Sequence, residues 1–138
     1  MKIMVSACLL GENCKYSGGN NRNEKVLDYV AGHEVVPVCP EVMGGLPTPR
    51  VPAEIVCGVV INKEGVNVDC EYRLGAQKTL EIAREKKIDL AILQSRSPSC
   101  GTKEIYDGTF SGKRIPGQGV TARLLSENGF AVMDAEEL

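Results

Sequence analysis

Three cysteines stand where three apolar runs end. Lys2–Ser6 leads into Cys8, Glu34–Val38 into Cys39, and Asp89–Leu93 into the turn Gln94–Gly101, which carries Cys100. That turn reads Gln-Ser-Arg-Ser-Pro-Ser-Cys-Gly, too polar and too rich in Ser and Pro to prolong a strand. Short apolar strands that stop in such turns are where α/β proteins place their chemistry. Thiolates are soft ligands, and three on one edge can hold a soft metal centre. Three is one fewer than closes a structural zinc site or saturates a cubane iron–sulfur cluster. The missing ligand leaves a position where substrate can bind. The spacing lacks the close Cys-x-x-Cys pairs of zinc ribbons and ferredoxins, so it selects no particular metal. Buried free cysteines also serve as small hydrophobes.

The other cysteines read differently. Cys14 lies in the loop after Cys8 and either approaches the same place or packs. Cys57, inside an apolar run, and Cys70, at a helix start, are expected to be structural. His33 is the one histidine; it follows a helix-ending Gly32 and is expected at the surface. A metal would therefore rest on thiolates and carboxylates.

Elements must bring the three cysteines together. Lys2–Ser6 is β-prone and forms the first strand. Glu12–Asn23, with four Asn and Gly18-Gly19, is a loop long enough to suggest a function. Asn23 caps a helix over Glu24–Ala31 that Gly32 stops. Glu34–Val38 is a second strand, and Pro37 suits an edge. Cys39–Pro52 holds four Pro and two Gly, so a stiff ordered loop is expected rather than helix. Glu54–Ile61 and Val66–Asp69 read as strands joined by a turn at Lys63–Gly65. Glu71–Lys87 is an amphipathic helix, with Leu74, Ala76, Leu80, Ile82 and Ala83 on its apolar side. Ile88–Leu93 is a central parallel strand. Gly101–Gly119 is a Gly-rich loop, Val120–Asn128 a helix, and Phe130–Met133 the last strand. This order is that of an α/β fold with a mostly parallel sheet. Parallel strands share one C-terminal edge, so Cys8, Cys39 and Cys100 would face a common crevice.

Composition narrows the function classes. A chain of 138 residues is expected to form one domain with a real core. A net charge of -2 gives no footprint for non-specific nucleic-acid binding. Six aromatic residues and no Trp argue against a stacking platform for single strands. Six cysteines would suggest disulfides in a secreted protein, but the apolar stretch before Cys8 is shorter than a signal core. No run reaches the ~18 apolar residues of a membrane span. A reducing cytoplasm and no membrane partner are the expectation.

The chain resembles the thiouracil desulfidase family. The matching segments are Val5-Ser6-Ala7-Cys8-Leu9-Leu10-Gly11, Lys15-Tyr16-Ser17-Gly18-Gly19, Val38-Cys39-Pro40-Glu41 and Gly44-Gly45-Leu46-Pro47-Thr48-Pro49-Arg50. Ser97-Pro98-Ser99-Cys100-Gly101 and Ile105-Tyr106-Asp107-Gly108-Thr109-Phe110 follow, in order, over almost the whole chain. Lys15-Tyr16-Ser17-Gly18 departs from the Arg-Tyr-Asp-Gly frequent in the family. The resemblance implies a single Rossmann-like domain over residues 1–138, a mostly parallel sheet flanked by helices with a β-hairpin insertion. It implies a [4Fe-4S] cluster on Cys8, Cys39 and Cys100, and non-redox removal of sulfur from thiouracil or a thiouridine-type compound. Family catalytic positions fall on Glu41 and Ser97. Glu41 would act as acid/base on the attacking water, with Ser97 holding it or relaying a proton.

The implied small-molecule partner is a thiolated pyrimidine. Arg50 could bind its oxygen or phosphate, or pair with Glu54. Tyr16 and Tyr106 could stack on the ring. Were the substrate thiolated RNA, Lys103, Lys113 and Arg114 would be the first candidates for phosphate contact. Two other classes fit the same cysteines: a non-enzymatic module holding Zn²⁺ or an iron–sulfur cluster, and a thiol-based redox protein. The last needs a cysteine pair with Cα atoms about 4.4–6.8 Å apart.

Overall fold

The computed structural model describes all 138 residues. In chain order the elements are β1 (Lys2–Ser6), α1 (Glu24–Val30), β2 (Glu34–Val38), α2 (Pro40–Met43), β3 (Ala53–Val56), β4 (Val59–Asn62), α3 (Asp69–Lys86), β5 (Leu90–Leu93), β6 (Glu104–Tyr106), β7 (Arg114–Pro116), α4 (Val120–Glu127) and β8 (Val132–Asp134). Single 3₁₀ turns follow β1 at Ala7–Leu10 and β8 at Ala135–Glu137. Four strands form an all-parallel sheet in the order β2-β1-β5-β8, and β3-β4 and β6-β7 form separate hairpins. This is the mixed α/β architecture with a parallel sheet that the sequence implies. No helix is long and apolar enough to cross a membrane.

The central strands β1 and β5 carry no solvent exposure at Ile3, Met4, Val5, Ala91, Ile92 or Leu93. Strands covered on both faces need continuous apolar runs, and these have them. Side chains alternate between the faces. Met4, Ala91 and Leu93 pack with Leu80, Ala83 and Leu125 of α3 and α4. Ile3, Val5 and Ile92 pack with Val26 and Val30 of α1 on the other face. Pro37, which has no N–H to give, sits on β2 at the sheet edge, as expected. Asn23 caps α1, its side chain accepting from the Lys25 and Val26 amides at 3.0 and 3.2 Å.

The Cys39–Pro52 segment departs from the sequence expectation, because it contains α2. Pro40 stands in the helix's first turn, where its absent N–H has no intrahelical role. Two glycines let α2 lie directly on α3. A Cβ on Gly44 would overlap the Glu71 carbonyl, and one on Gly75 the Pro40 carbonyl. This close crossing sets the position of Glu41.

The central hairpin also differs. The expected turn at Lys63–Gly65 is present, the Gly65 amide donating to the Asn62 carbonyl at 2.9 Å, but a second turn, Cys57-Gly58, with positive φ of 50° and 80°, breaks the expected Glu54–Ile61 strand in two. Two-residue turns of that kind match strand twist. Ala53–Val56 therefore pairs with Val59–Asn62, and the expected strand at Val66–Asp69 is reduced to one bridge between Ile61 and Asn67. Cys57 lies exposed in the turn and Cys70 exposed on α3, so neither belongs to a core. Leu74 points outward from α3 at 47% exposure, because the buried stripe runs through Tyr72, Ala76 and Leu80. The Gly101–Gly119 stretch contains the β6-β7 hairpin rather than loop alone.

Candidate active site

A cavity of about 540 Å³ opens at the C-terminal edge of β1, β2 and β5, and Cys8, Cys39 and Cys100 all line it. Each is held by the turn after its strand. Cys8 sits in the 3₁₀ turn after β1, which Gly11 ends at φ +99°. Cys39 is the N-cap of α2. Cys100 lies in a turn closed by Ser97, whose Oγ accepts from the Ser99 and Cys100 amides at 3.1 and 3.2 Å. The Ser6 hydroxyl accepts from the Gln94 amide at 3.0 Å and ties the end of β1 to this turn.

The thiols are desolvated. Burial pushes Cys100 up to about 12, against hydrogen bonds from Ser99 and Ser6, with the charges of Glu41 and Cys8 adding to the rise. Burial also raises Cys8; Asn21 opposes the shift and Cys39 adds to it. Cys14 lines the same cavity and is pushed up to about 12 by burial first and then by Cys39. These thiols lie within electrostatic reach of one another. Such groups stay neutral until a metal replaces their protons.

No group of three or more His, Cys, Asp or Glu side chains converges closely enough to hold one metal ion. Zinc draws its ligands to about 2.0–2.3 Å from a single centre. The three sulfurs face one cavity without meeting at one point. That donor set suits a polynuclear centre whose metal atoms each take one sulfur.

Glu41 projects from the first turn of α2 into the same cavity. Its Oε1 accepts from Arg50 Nε at 3.0 Å and from the Tyr72 hydroxyl at 2.8 Å. Its Oε2 accepts from Ser99 Oγ at 3.0 Å and from Ser97 Oγ at 3.4 Å. The two serine hydroxyls are 2.9 Å apart. The Arg50 and Glu41 side chains are 6% and 15% exposed, so this ion pair is largely desolvated. Burial, then the Glu41 charge, drives the Tyr72 phenol far above its ordinary range, so it stays a donor.

Arg50 does not pair with Glu54. Beyond Glu41 it donates to the Cys14 carbonyl at 2.9 Å, the Pro47 carbonyl at 3.2 Å and Thr48 Oγ1 at 3.1 Å. It thus knits the Cys14 loop to the Pro-rich loop. Glu54 instead accepts from the Gly108 and Phe110 amides. Tyr16 and Tyr106 both line the cavity, Tyr16 being 46% exposed at its mouth. Lys103, Lys113 and Arg114 are exposed and lie outside the lining. His33 is exposed and accepts from the N-terminal ammonium.

Sequence reasoning did not find Tyr72, Ser99 or Asn21. Tyr72 reads as core on an amphipathic helix. Ser99 was hidden by its neighbour Ser97. Only the close approach of α2 to α3 brings Tyr72, 31 positions along the chain, to Glu41.

Comparison with known proteins shows the family of the chain. The uncharacterized protein YbbK of Bacillus subtilis (strain 168) is 43% identical over 146 positions, spanning 99% of this chain and 97% of that protein. A solved structure of the [4Fe-4S]-dependent thiouracil desulfidase TudS is 40% identical and superimposes with a TM-score of 0.94, over 99% of this chain and 92% of that one. The 2-thiouracil desulfurase family matches residues 3–137. The chain belongs to the 2-thiouracil desulfurase family.

Proposed function

We propose that this chain, as one domain over residues 1–138, hydrolyses the C–S bond of thiouracil or a thiouridine-type compound. It does so with a [4Fe-4S] cluster held by Cys8, Cys39 and Cys100. The observation that carries the reading is three strand-end thiols and one ion-paired carboxylate on a single cavity. Family membership and the likeness to TudS support it. The overall change is a thiocarbonyl and water going to a carbonyl and hydrogen sulfide, with no electrons gained or lost.

When bound, the cluster supplies a Lewis-acidic iron without a cysteine ligand, to which a soft thiocarbonyl sulfur is suited. The chain's residues supply the rest. Glu41 takes the proton from the water that attacks the ring carbon. Arg50 and Tyr72 hold Oε1 with donors that keep their protons, whereas the Ser97 and Ser99 hydroxyls on Oε2 can turn toward each other, so the proton is received at Oε2. Ser99 and Ser97, both on Oε2, pass the proton onward toward the departing group or the ring. Tyr16 and Tyr106 hold the ring at the mouth of the cavity, and Arg50 positions Glu41 rather than substrate.

The test is anaerobic reconstitution with iron and sulfide, then assay of hydrogen sulfide release from 2-thiouracil and 4-thiouracil. Release of one sulfide per uracil formed, without added reductant, is the expected result. A reconstituted, iron-loaded protein inert toward both compounds would reject the assignment.

A further inference from the structure

We propose that Asn21 is a positioning residue for the metal centre, gripping Cys8 at both its carbonyl and its sulfur and drawing charge from that thiolate. The proposal rests on the cluster reading above. The Asn21 amide N–H donates to the Cys8 carbonyl at 2.9 Å. Its side-chain Nδ2 donates to Cys8 Sγ at 3.6 Å, long for oxygen but ordinary for the larger sulfur atom. The orientation of the side chain is fixed by chemistry. Lys15 Nζ lies 3.3 Å from the other end of the amide, and an ammonium has only protons to give. The end facing Lys15 is therefore the oxygen, and the end facing sulfur is the NH₂ group. The Lys15 charge polarises the amide in the direction that strengthens the bond to sulfur.

The three thiols are not equivalent in this respect. Cys8 faces an amide donor, Cys100 the Ser99 hydroxyl at 3.5 Å, and Cys39 the Cys14 carbonyl at 3.8 Å. A carbonyl can only accept, so it offers nothing to a thiolate. Asn21 also stands in the wall between the main cavity and a second, polar one of about 320 Å³, together with Gln94 and Ser95. It is reached from the Glu12–Asn23 loop, so the loop rather than the sheet sets the electronics of this ligand. Hydrogen bonds to ligand sulfur favour the reduced cluster, and partners of metal ligands govern retention of the metal.

The experiment compares wild-type, Asn21→Asp, Asn21→Leu and Lys15→Met proteins after anaerobic reconstitution. Two readouts are taken: the midpoint potential of the cluster and the rate of iron loss to a chelator. Asn21→Asp keeps the shape but puts an acceptor against sulfur. It should have the most negative midpoint and lose iron about tenfold faster than wild type. Asn21→Leu should shift the same way by less, and Lys15→Met by less again. Circular dichroism of the metal-free variants checks their folding. A folded Asn21→Asp protein that takes up no cluster also supports the grip. Should Asn21→Asp not fold, Lys15→Met, which leaves Asn21 in place, decides. Wild-type potential and iron-release rate in the folded variants overturn the proposal. Full iron loading of Cys8→Ala would instead overturn the cluster reading on which it rests.

Discussion

The cavity has two walls built in different ways. One wall is Glu41, Tyr72, Ser97, Ser99 and Cys100, carried on α2, α3 and the turn after β5. Its polar atoms bond to one another at 2.8–3.4 Å, and Ser99, Cys100 and Tyr72 are almost fully buried. The other wall is Lys15, Tyr16, Lys63, Tyr106 and Phe110, carried on loops and the small hairpins. Its groups are partly or largely exposed. A network that must hold a reacting geometry is built on rigid elements, whereas a surface that meets variable substrate can sit on loops. On the proposed function the first wall would serve chemistry and the second recognition, and substitutions on the two walls should separate in the same way.

The largest effects should come from the sulfurs that join the walls. Cys8→Ala, Cys39→Ala and Cys100→Ala should each hold little or no iron after reconstitution and show background sulfide release. Next is Glu41→Ala, which should keep the cluster's visible absorption yet lose about 10²–10⁴ in kcat, the usual contribution of a positioned acid/base. A normal kcat in that variant would remove Glu41 from the reaction.

Arg50→Ala tests whether the first wall is rigid for a reason. It leaves Glu41 as a largely buried carboxylate without its ion partner, which should destabilise the metal-free protein by about 3 kcal/mol in urea unfolding. Tyr72→Phe removes one hydrogen bond to the same carboxylate and should cost about 2 kcal/mol. On the second wall, Tyr16→Ala and Tyr106→Ala should raise KM about tenfold, as expected for lost stacking, with kcat and iron content little changed. The smallest effect should be that of Cys14→Ser. Its carbonyl, not its thiol, makes the bond to Arg50, so iron content and kcat should stay within about twofold of wild type, a change under ~0.5 kcal/mol. Loss of activity as complete as in Cys8→Ala would favour thiol redox chemistry instead.

How far the sequence reveals the molecule follows the same division. Strand ends are legible because continuous apolar runs stop at visible turns, and parallel pairing then puts Cys8, Cys39 and Cys100 on one edge. Glu41 and Ser97 were legible only through family resemblance, since a glutamate after a turn is usually solvated. The partners of Glu41 lie 9, 31 and 58 positions away at Arg50, Tyr72 and Ser99, and no local pattern links them. Tyr72 reaches Glu41 because Gly44 and Gly75 let two helix backbones touch. The Lys63–Gly65 turn is legible from its Gly, whereas the Cys57-Gly58 turn is not, because Cys57 is an unusual residue for a positive φ.

The most direct measurement of the central claim is iron and acid-labile sulfide per chain, in anaerobically reconstituted wild type beside the three single Cys→Ala variants. The account predicts about four of each in wild type, as a [4Fe-4S] centre requires, and a collapse of both in every variant. Wild type that binds zinc in place of iron, or a Cys100→Ala protein that loads as fully as wild type, would contradict it.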